Sequence, residues 1–344
     1  MKVAIIGGGL AGCAVAWMFR QMGQEPVVYE AGPTLANGAS GNVSGLYNPR
    51  FSALRGADAD FYAAAYSMAL RTFKMLDDID WCPIGVLHLM DTDKKEKRLH
   101  RTVKNWNWSP AHMRLVSSSE ASEIAGINLR YDALYLPDGG SIAPKKLCAA
   151  YTRDIECHLN SPVEYLDDIV ADVKVLACGS AVLKFVPDLP IIPVRGQITQ
   201  VKATQLSANI KCGICYDGYF MPAKDGIHTL GATFQPDQNH SDIIKQDNQE
   251  NIQKLAEAIP GLEAGLEVVG QRASIRATSR NRFPIIGNAT GQDNVYISAA
   301  HGSYGVLSSL MAAHLLVDMI MGRPRCLPAD VIKALSPQRF KKRV

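Results

Sequence analysis

The sequence predicts an α/β chain, α+β overall, in which a nucleotide-type parallel sheet is assembled from separated segments and an antiparallel layer is inserted between them. Three observations predict it. The first thirty residues run from an apolar strand, Lys2 to Ile6, through a glycine turn. Apolar residues then recur at helical spacing (Ala11, Ala14, Val15, Met18, Phe19), and a second β-branched strand ends on Glu30. A later strand, Asp172 to Gly179, ends in small residues and can join the same parallel sheet. Between it and a C-terminal strand–glycine–helix, the stretches Ile191 to Val201, Gly218 to Pro222 and His228 to Phe234 read as strands divided by turns, the pattern of an antiparallel layer.

The opening βαβ unit carries the first site. Gly7 permits the sharp strand-to-helix turn. Gly9, lacking a Cβ, lets a pyrophosphate approach the backbone, and Gly12 lets the helix pack on the strand. The helix start, with Leu10 and Ala11, offers free N–H groups to phosphate. Glu30 stands where a carboxylate accepts both hydroxyls of an adenosine ribose, which suits an unphosphorylated ribose. The unit is Rossmann-like and predicts dinucleotide binding.

Bulk properties narrow the class. The 344 residues suffice for two ordinary domains, and a composition of 47% hydrophobic and 20% charged residues is that of a globular protein. A net charge of +3 permits an acidic or nucleic-acid partner without demanding one. Eight cysteines without regular spacing, and no export signal, lead us to expect reduced thiols and a cytoplasmic protein. The longest apolar stretch, Val295 to Met321, is broken by His301, His314 and Asp318, so no membrane span is expected. No His/Cys/Asp cluster has metal-ligand spacing. The lone CxxC, Cys212 to Cys215, reads as structural.

The remaining elements follow in order. The small-residue loop Gly38-Ala39-Ser40-Gly41-Asn42 can lie against a planar ligand and donate backbone N–H groups. Ala57 to Leu76 is an amphipathic helix and Gly85 to Leu89 a strand. Asp93 to Trp106 is a charged helix. Ser118 or Ser119 is expected to cap a short helix, followed by a strand at Ala133 to Leu136 and a helix from Pro144 to about Arg153. Asp242 to Ile259 reads as a helix, Val268 to Ala277 and Asn294 to Ser298 as strands, and Gly302 to Met321 as a long helix. The expected division is a discontinuous nucleotide domain (1–80, 141–190 and 276–344) and a substrate domain (81–140 and 191–275), with ligand between the layers.

These pieces together resemble the D-amino-acid-oxidase-like flavoproteins, which use FAD. The resemblance rests on the βαβ unit, the small-residue loop, the strand ending Ala177-Cys178-Gly179, and the strand–glycine–helix at the C-terminus. Within that superfamily the sequence is similar to the FAD-oxidoreductase domain of the MnmC family, bifunctional enzymes of tRNA wobble-uridine modification. The more specific likenesses are Gly38-Ala39-Ser40-Gly41-Asn42 and the ending Leu335-Ser336-Pro337-Gln338-Arg339-Phe340. Three positions depart from the family pattern: Asn281 for an acid, Ser141 for an aromatic, and Tyr304 for an arginine after Ser303.

The resemblance implies a function. Relatives oxidise the C–N bond of an amino acid or N-substituted glycine, passing hydride to the flavin before water hydrolyses the imine. The implied cofactor is non-covalent FAD, since no His follows Glu30 until His88. Its implied contacts add Val163, Cys178, Gly179, Gly302, Ser303 and Gly305 to the residues already named. Arg276 is expected to fork onto the substrate carboxylate. Ser303 and Tyr304 begin a helix whose N-terminus would stabilise charge on the reduced ring. The sequence leaves His301 open between proton carrier and packing, and Arg195 open between substrate contact and structural support. The implied substrate is 5-carboxymethylaminomethyl-uridine in tRNA, with Lys341, Lys342, Arg343, Arg323 and Arg325 as candidate RNA contacts. A separate methyltransferase is the implied partner. A glycine, sarcosine or D-amino-acid oxidase, or a flavin-binding protein without turnover, are the competing readings. No motif sets the oligomeric state.

Overall fold

The computed structural model describes residues 1–50 and 52–340. Lys341, Lys342 and Arg343 therefore lie outside the described residues.

Lys2–Ile6 sits inside a six-stranded sheet. Glu25–Tyr29 and then Glu156–His158 follow on one side; Val173–Leu176, Val295–Ala299 and Ile285–Asn288 follow on the other. Every pairing is parallel except that of the edge strand Ile285–Asn288. The helix Leu10–Gln21 buries Leu10, Cys13, Ala14, Val15, Met18 and Phe19. It packs on the long helix Gly305–Ile320, which also receives Ala57–Phe73. One apolar core thus ties the first strand–helix unit to the end of the chain.

A second sheet carries nine strands among the described residues. Towards one edge, Ile191–Lys202 pairs antiparallel with Ile227–Gly231 and with Val268–Ser279. The layer is not wholly antiparallel. Gly213–Cys215 runs parallel to Val86–Leu89, which brings the strand of the expected CxxC into the buried middle of the sheet. Burial pushes both of those thiols up to about 12, so they pack as small apolar groups. All eight cysteines are free thiols.

Local boundaries moved where tertiary contacts intervened. The short helix is Ser118–Ala125, capped by neither Ser118 nor Ser119. Ser117 Oγ accepts from Glu120 N at 3.3 Å, because a cap must precede the residue it serves by three. The expected helix from Asp242 begins at Lys245. Upstream, the buried Arg195 donates to the Asp242 carbonyl, and Gln197 both donates to the Ile244 carbonyl and accepts from Ile244 N, holding Ile244 extended as the N-cap. Short strands such as Gly45–Tyr47 with Gly140–Ile142, at three residues each, fall below any periodic signal.

The expectation about membrane-length helices also needs correction. Among the described residues, Gly302–Ile320 is long and apolar enough to cross a bilayer, with a mean hydropathy of 1.4. The fold buries 61% of that stretch. Asp318 is absorbed by Arg323 Nε at 3.5 Å and His314 Nε2 at 3.8 Å, so the helix serves as the central helix of the core.

Candidate active site

A cleft of about 1010 Å³ runs between the two sheets, from the glycine turn to the last helix. Its floor begins at the βαβ unit. Gly7 holds φ +110°, and a Cβ there would stand 2.6 Å from the Ala177 carbonyl. A Cβ on Gly12 would lie 1.9 Å from the Gly7 carbonyl, so Gly12 lies behind the cleft wall and sets the helix–strand approach. Gly9 differs. A Cβ there would meet only Ser40 Oγ, at 3.2 Å, and would otherwise project into open cleft. Leu10 N donates to Ser40 Oγ at 3.0 Å, joining the small-residue loop to the helix start.

Glu30 lines the cleft and accepts two backbone N–H groups at 2.7 Å, from Gly8 and Gly32. Each carboxylate oxygen keeps a further lone pair for a ribose hydroxyl. Leu10, Ala11, Ala39, Ser40, Asn42, Val163, Cys178, Gly179, Gly302, Ser303, Tyr304 and Gly305 also line the cleft. Gly41 lies behind the wall, where a Cβ would strike Arg272 Nη2 at 2.5 Å.

Arg272, one of several arginines near Arg276 in sequence, is a structural find. It donates to Asn42 Oδ1 at 3.0 Å and to the Asn37 and Gly38 carbonyls, so the antiparallel sheet grips the small-residue loop. Sequence reading missed this because the partners lie about 230 positions apart; the exposed carbonyls of a glycine-rich loop were the available signal.

Arg276 reaches the cleft from Val268–Ser279. Its guanidinium packs against Gly196, where a Cβ would come within 2.0 Å of Nη1, and Nη1 makes one long contact of 3.5 Å to the Thr233 carbonyl. Among the described residues no carboxylate lies within 4 Å of it. Burial pulls its basicity below the ordinary value, with Tyr219 opposing weakly, yet an arginine keeps its charge. The guanidinium is thus desolvated on a cleft wall without a carboxylate partner among the described residues.

Arg195 has the opposite surroundings. It is fully buried, paired to Asp247 and hydrogen-bonded to Gln235 Oε1 at 2.7 Å and Gln197 Oε1 at 3.0 Å. It is a structural residue. His301 is also committed. Ser308 Oγ donates to the Tyr304 carbonyl, so it accepts from His301 Nδ1 at 2.9 Å, and Ser298 Oγ then donates to Nε2 at 3.1 Å. Burial drives this imidazole down to about 4, so it is neutral with both nitrogens occupied. Asn281 clasps the loop before Pro284 by accepting from Phe283 N and from Arg339 Nη2, each at 3.3 Å. Arg339 also donates to the Phe283 and Pro284 carbonyls, which gives the C-terminal arginine a physical role. Among the described residues no group of His, Cys, Asp and Glu is placed to hold a metal.

A glycine turn entering a helix, an acid at the end of the next parallel strand, and a second helix start on the same cleft are the features of a dinucleotide-dependent enzyme site, with the Arg276 guanidinium on its wall. The chain belongs to the FAD dependent oxidoreductase (DAO) family, whose pattern matches residues 2–319. The tRNA 5-methylaminomethyl-2-thiouridine biosynthesis bifunctional protein MnmC of Chromobacterium violaceum is 30% identical over 98% of this chain and 59% of its own length. That of Nitrosospira multiformis is 31% identical over 97% and 59%. The chain thus spans about three fifths of these relatives. Glycine oxidase from Geobacillus kaustophilus shares the fold with a TM-score of 0.83 at 19% identity, covering 99% of this chain and 100% of that one. L-proline dehydrogenase from P. horikoshii does so with a TM-score of 0.84 at 17% identity, covering 98% and 97%.

The residues present fit FAD. The open side of Gly9 admits a pyrophosphate, Glu30 retains acceptor capacity for a ribose, and Gly302, Ser303 and Gly305 bring a helix start to the far end of a cleft long enough for a dinucleotide. The protein is an FAD-dependent oxidoreductase.

Proposed function

We propose that this enzyme oxidises the C–N bond of an N-substituted glycine, and that its natural substrate is the carboxymethylaminomethyl group of a wobble uridine in tRNA. The observation that carries the first part is Arg276, a cleft-wall guanidinium without a carboxylate partner among the described residues. The second part is supported by relatives that match nearly the whole chain and are named for tRNA 5-methylaminomethyl-2-thiouridine biosynthesis. Non-covalent FAD, held by the glycine turn, Glu30, the Ser40 loop and the Gly302–Gly305 helix start, supplies a two-electron acceptor when bound.

The protein's own residues bind and aim the substrate. Arg276 forks onto the carboxylate and fixes the adjacent CH₂. Oxidation takes two electrons and two protons from the CH₂–NH unit. Water then adds across the resulting C=N bond, and C–N cleavage leaves aminomethyl-uridine and glyoxylate. His301, neutral and with both ring nitrogens hydrogen-bonded, shapes the site beside the helix start without shuttling a proton. Ser303 and Tyr304 present the first turn of that helix to the cleft. We also propose that residues 1–80, 141–190 and 276–344 form the flavin-holding body and the remainder the substrate body, and that a methyltransferase acting on a primary amine consumes the product.

The test is nucleoside mass spectrometry of tRNA rich in the carboxymethylaminomethyl form, incubated with the holoenzyme. Conversion to aminomethyl-uridine with stoichiometric glyoxylate is the expected result. Rapid turnover of glycine or sarcosine with tRNA untouched would replace the RNA reading with a small-molecule oxidase.

A further inference from the structure

The mouth of the cleft carries a group of side chains that the oxidation chemistry does not use. Phe234 lines the cleft and is 43% exposed, a large cost in apolar surface for a ring with no ligand. The Arg282 guanidinium lies over that ring, 5.2 Å from its centroid. Arg50 donates to the Arg282 carbonyl at 2.6 Å and lies 5.8 Å from the ring of Tyr304, which also lines the cleft, and 5.5 Å from that of Tyr62. Arg280 is exposed in the same turn as Arg282. Among the described residues, none of Arg50, Arg280 and Arg282 has a carboxylate within 4 Å. The rim therefore offers a partly exposed aromatic ring with one guanidinium already on it, Arg280 exposed in the same turn, and Arg50 hydrogen-bonded to that turn.

We propose that this rim is a docking site for single-stranded RNA, in which Phe234 stacks an unpaired base and Arg282, Arg280 and Arg50 meet the flanking phosphates. The inference rests on the tRNA reading and says how the substrate is held. A flat exposed ring suits a planar base, which an acidic peptide does not supply, and cations spaced around it suit a bent phosphodiester backbone. A base splayed onto Phe234 would leave a neighbouring modified uridine free to enter the cleft.

The test is fluorescence anisotropy with the holoenzyme and a labelled anticodon stem-loop whose wobble uridine carries the carboxymethylaminomethyl group. Phe234→Ala should weaken binding by about 5- to 150-fold, the range for loss of one stacked base. Arg282→Gln and Arg280→Gln should each lower the slope of log affinity against log salt by about 0.7, the value for one single-strand phosphate contact. Flavin absorbance serves as the fold control. Arg280→Gln covers the case in which a change at Arg282 disturbs the turn. A wild-type enzyme that binds no RNA overturns both this rim and the tRNA reading. Wild-type binding that all three variants match overturns the rim alone. Displacement of the RNA by polyglutamate, with Phe234→Ala indifferent, assigns the patch to an acidic partner and also overturns it.

Discussion

Replacing Arg276 separates a receptor from a structural ion pair. A bidentate guanidinium–carboxylate contact consists of two charge-assisted hydrogen bonds, worth about 1.5–3 kcal/mol each when desolvated. Arg276→Ala should therefore lower kcat/KM for tRNA carrying the carboxymethylaminomethyl group by about 10²- to 10⁴-fold. Part of the loss should fall in kcat, because a mispositioned CH₂ reacts poorly even when bound. Arg276→Lys should recover only part, since an ammonium cannot make the planar two-point contact. Stability should move the other way. The side chain gives the fold one 3.5 Å contact to the Thr233 carbonyl and no carboxylate partner among the described residues, while burial disfavours its charge. Arg276→Met, which keeps an aliphatic stem of similar length, should leave Tm unchanged or raise it. Anaerobic stopped-flow bleaching of the flavin and a thermal melt read the two quantities. Wild-type bleaching rates in Arg276→Ala, or a Tm lowered by several degrees in Arg276→Met, would refute the assignment.

Gly9→Val should abolish FAD retention while the melt scarcely changes, because its side chain enters open cleft; Gly12→Ala should instead destabilise the fold by about 1–3 kcal/mol, since its Cβ meets the Gly7 carbonyl at 1.9 Å. Spectral FAD content and chemical denaturation distinguish the two. Arg195→Met should cost about 3–5 kcal/mol in denaturant unfolding by stranding Asp247, which is 2% exposed, with the flavin spectrum intact once folded. Stability should fall with pH between about 6.5 and 4. His88 and His301 are held down to about 4 by burial, so the unfolded chain binds protons there that the folded one refuses. That contribution is complete above pH 6.5 and is lost as pH drops towards 4. His88→Gln, which can still accept from Asn48 Nδ2, should flatten the dependence in pH-stepped melts, and an unchanged slope would contradict the neutral assignment.

The parallel half of the fold was legible because its signals are local. A strand, three glycines, an apolar helix and Glu30 fall within thirty residues. Strands long enough to show a period, such as Ile191–Lys202 and Val268–Ser279, were legible on the same ground. Three-residue strands carry no period and emerged only once a partner strand bonded to them. The helix start at Lys245 and the cap at Ser117 turned on particular hydrogen bonds, one of them made across the fold by a buried arginine.

The arginines show the division most clearly. By itself the sequence determined that this chain would build a glycine-turn βαβ unit ending on an acid, and that an arginine would stand at the end of a substrate-layer strand. It expected Arg276 on the substrate, left Arg195 open, and gave Arg272 no role of its own, because arginines on strands of one sheet look alike in composition. The tertiary structure decided by what each guanidinium meets. Arg195 meets Asp247 and becomes structural, Arg272 meets loop carbonyls and becomes a clasp, and Arg276 meets the cleft. The physical reason is that an arginine's role depends on the charge and hydration around it, and those neighbours come from segments far apart in the chain.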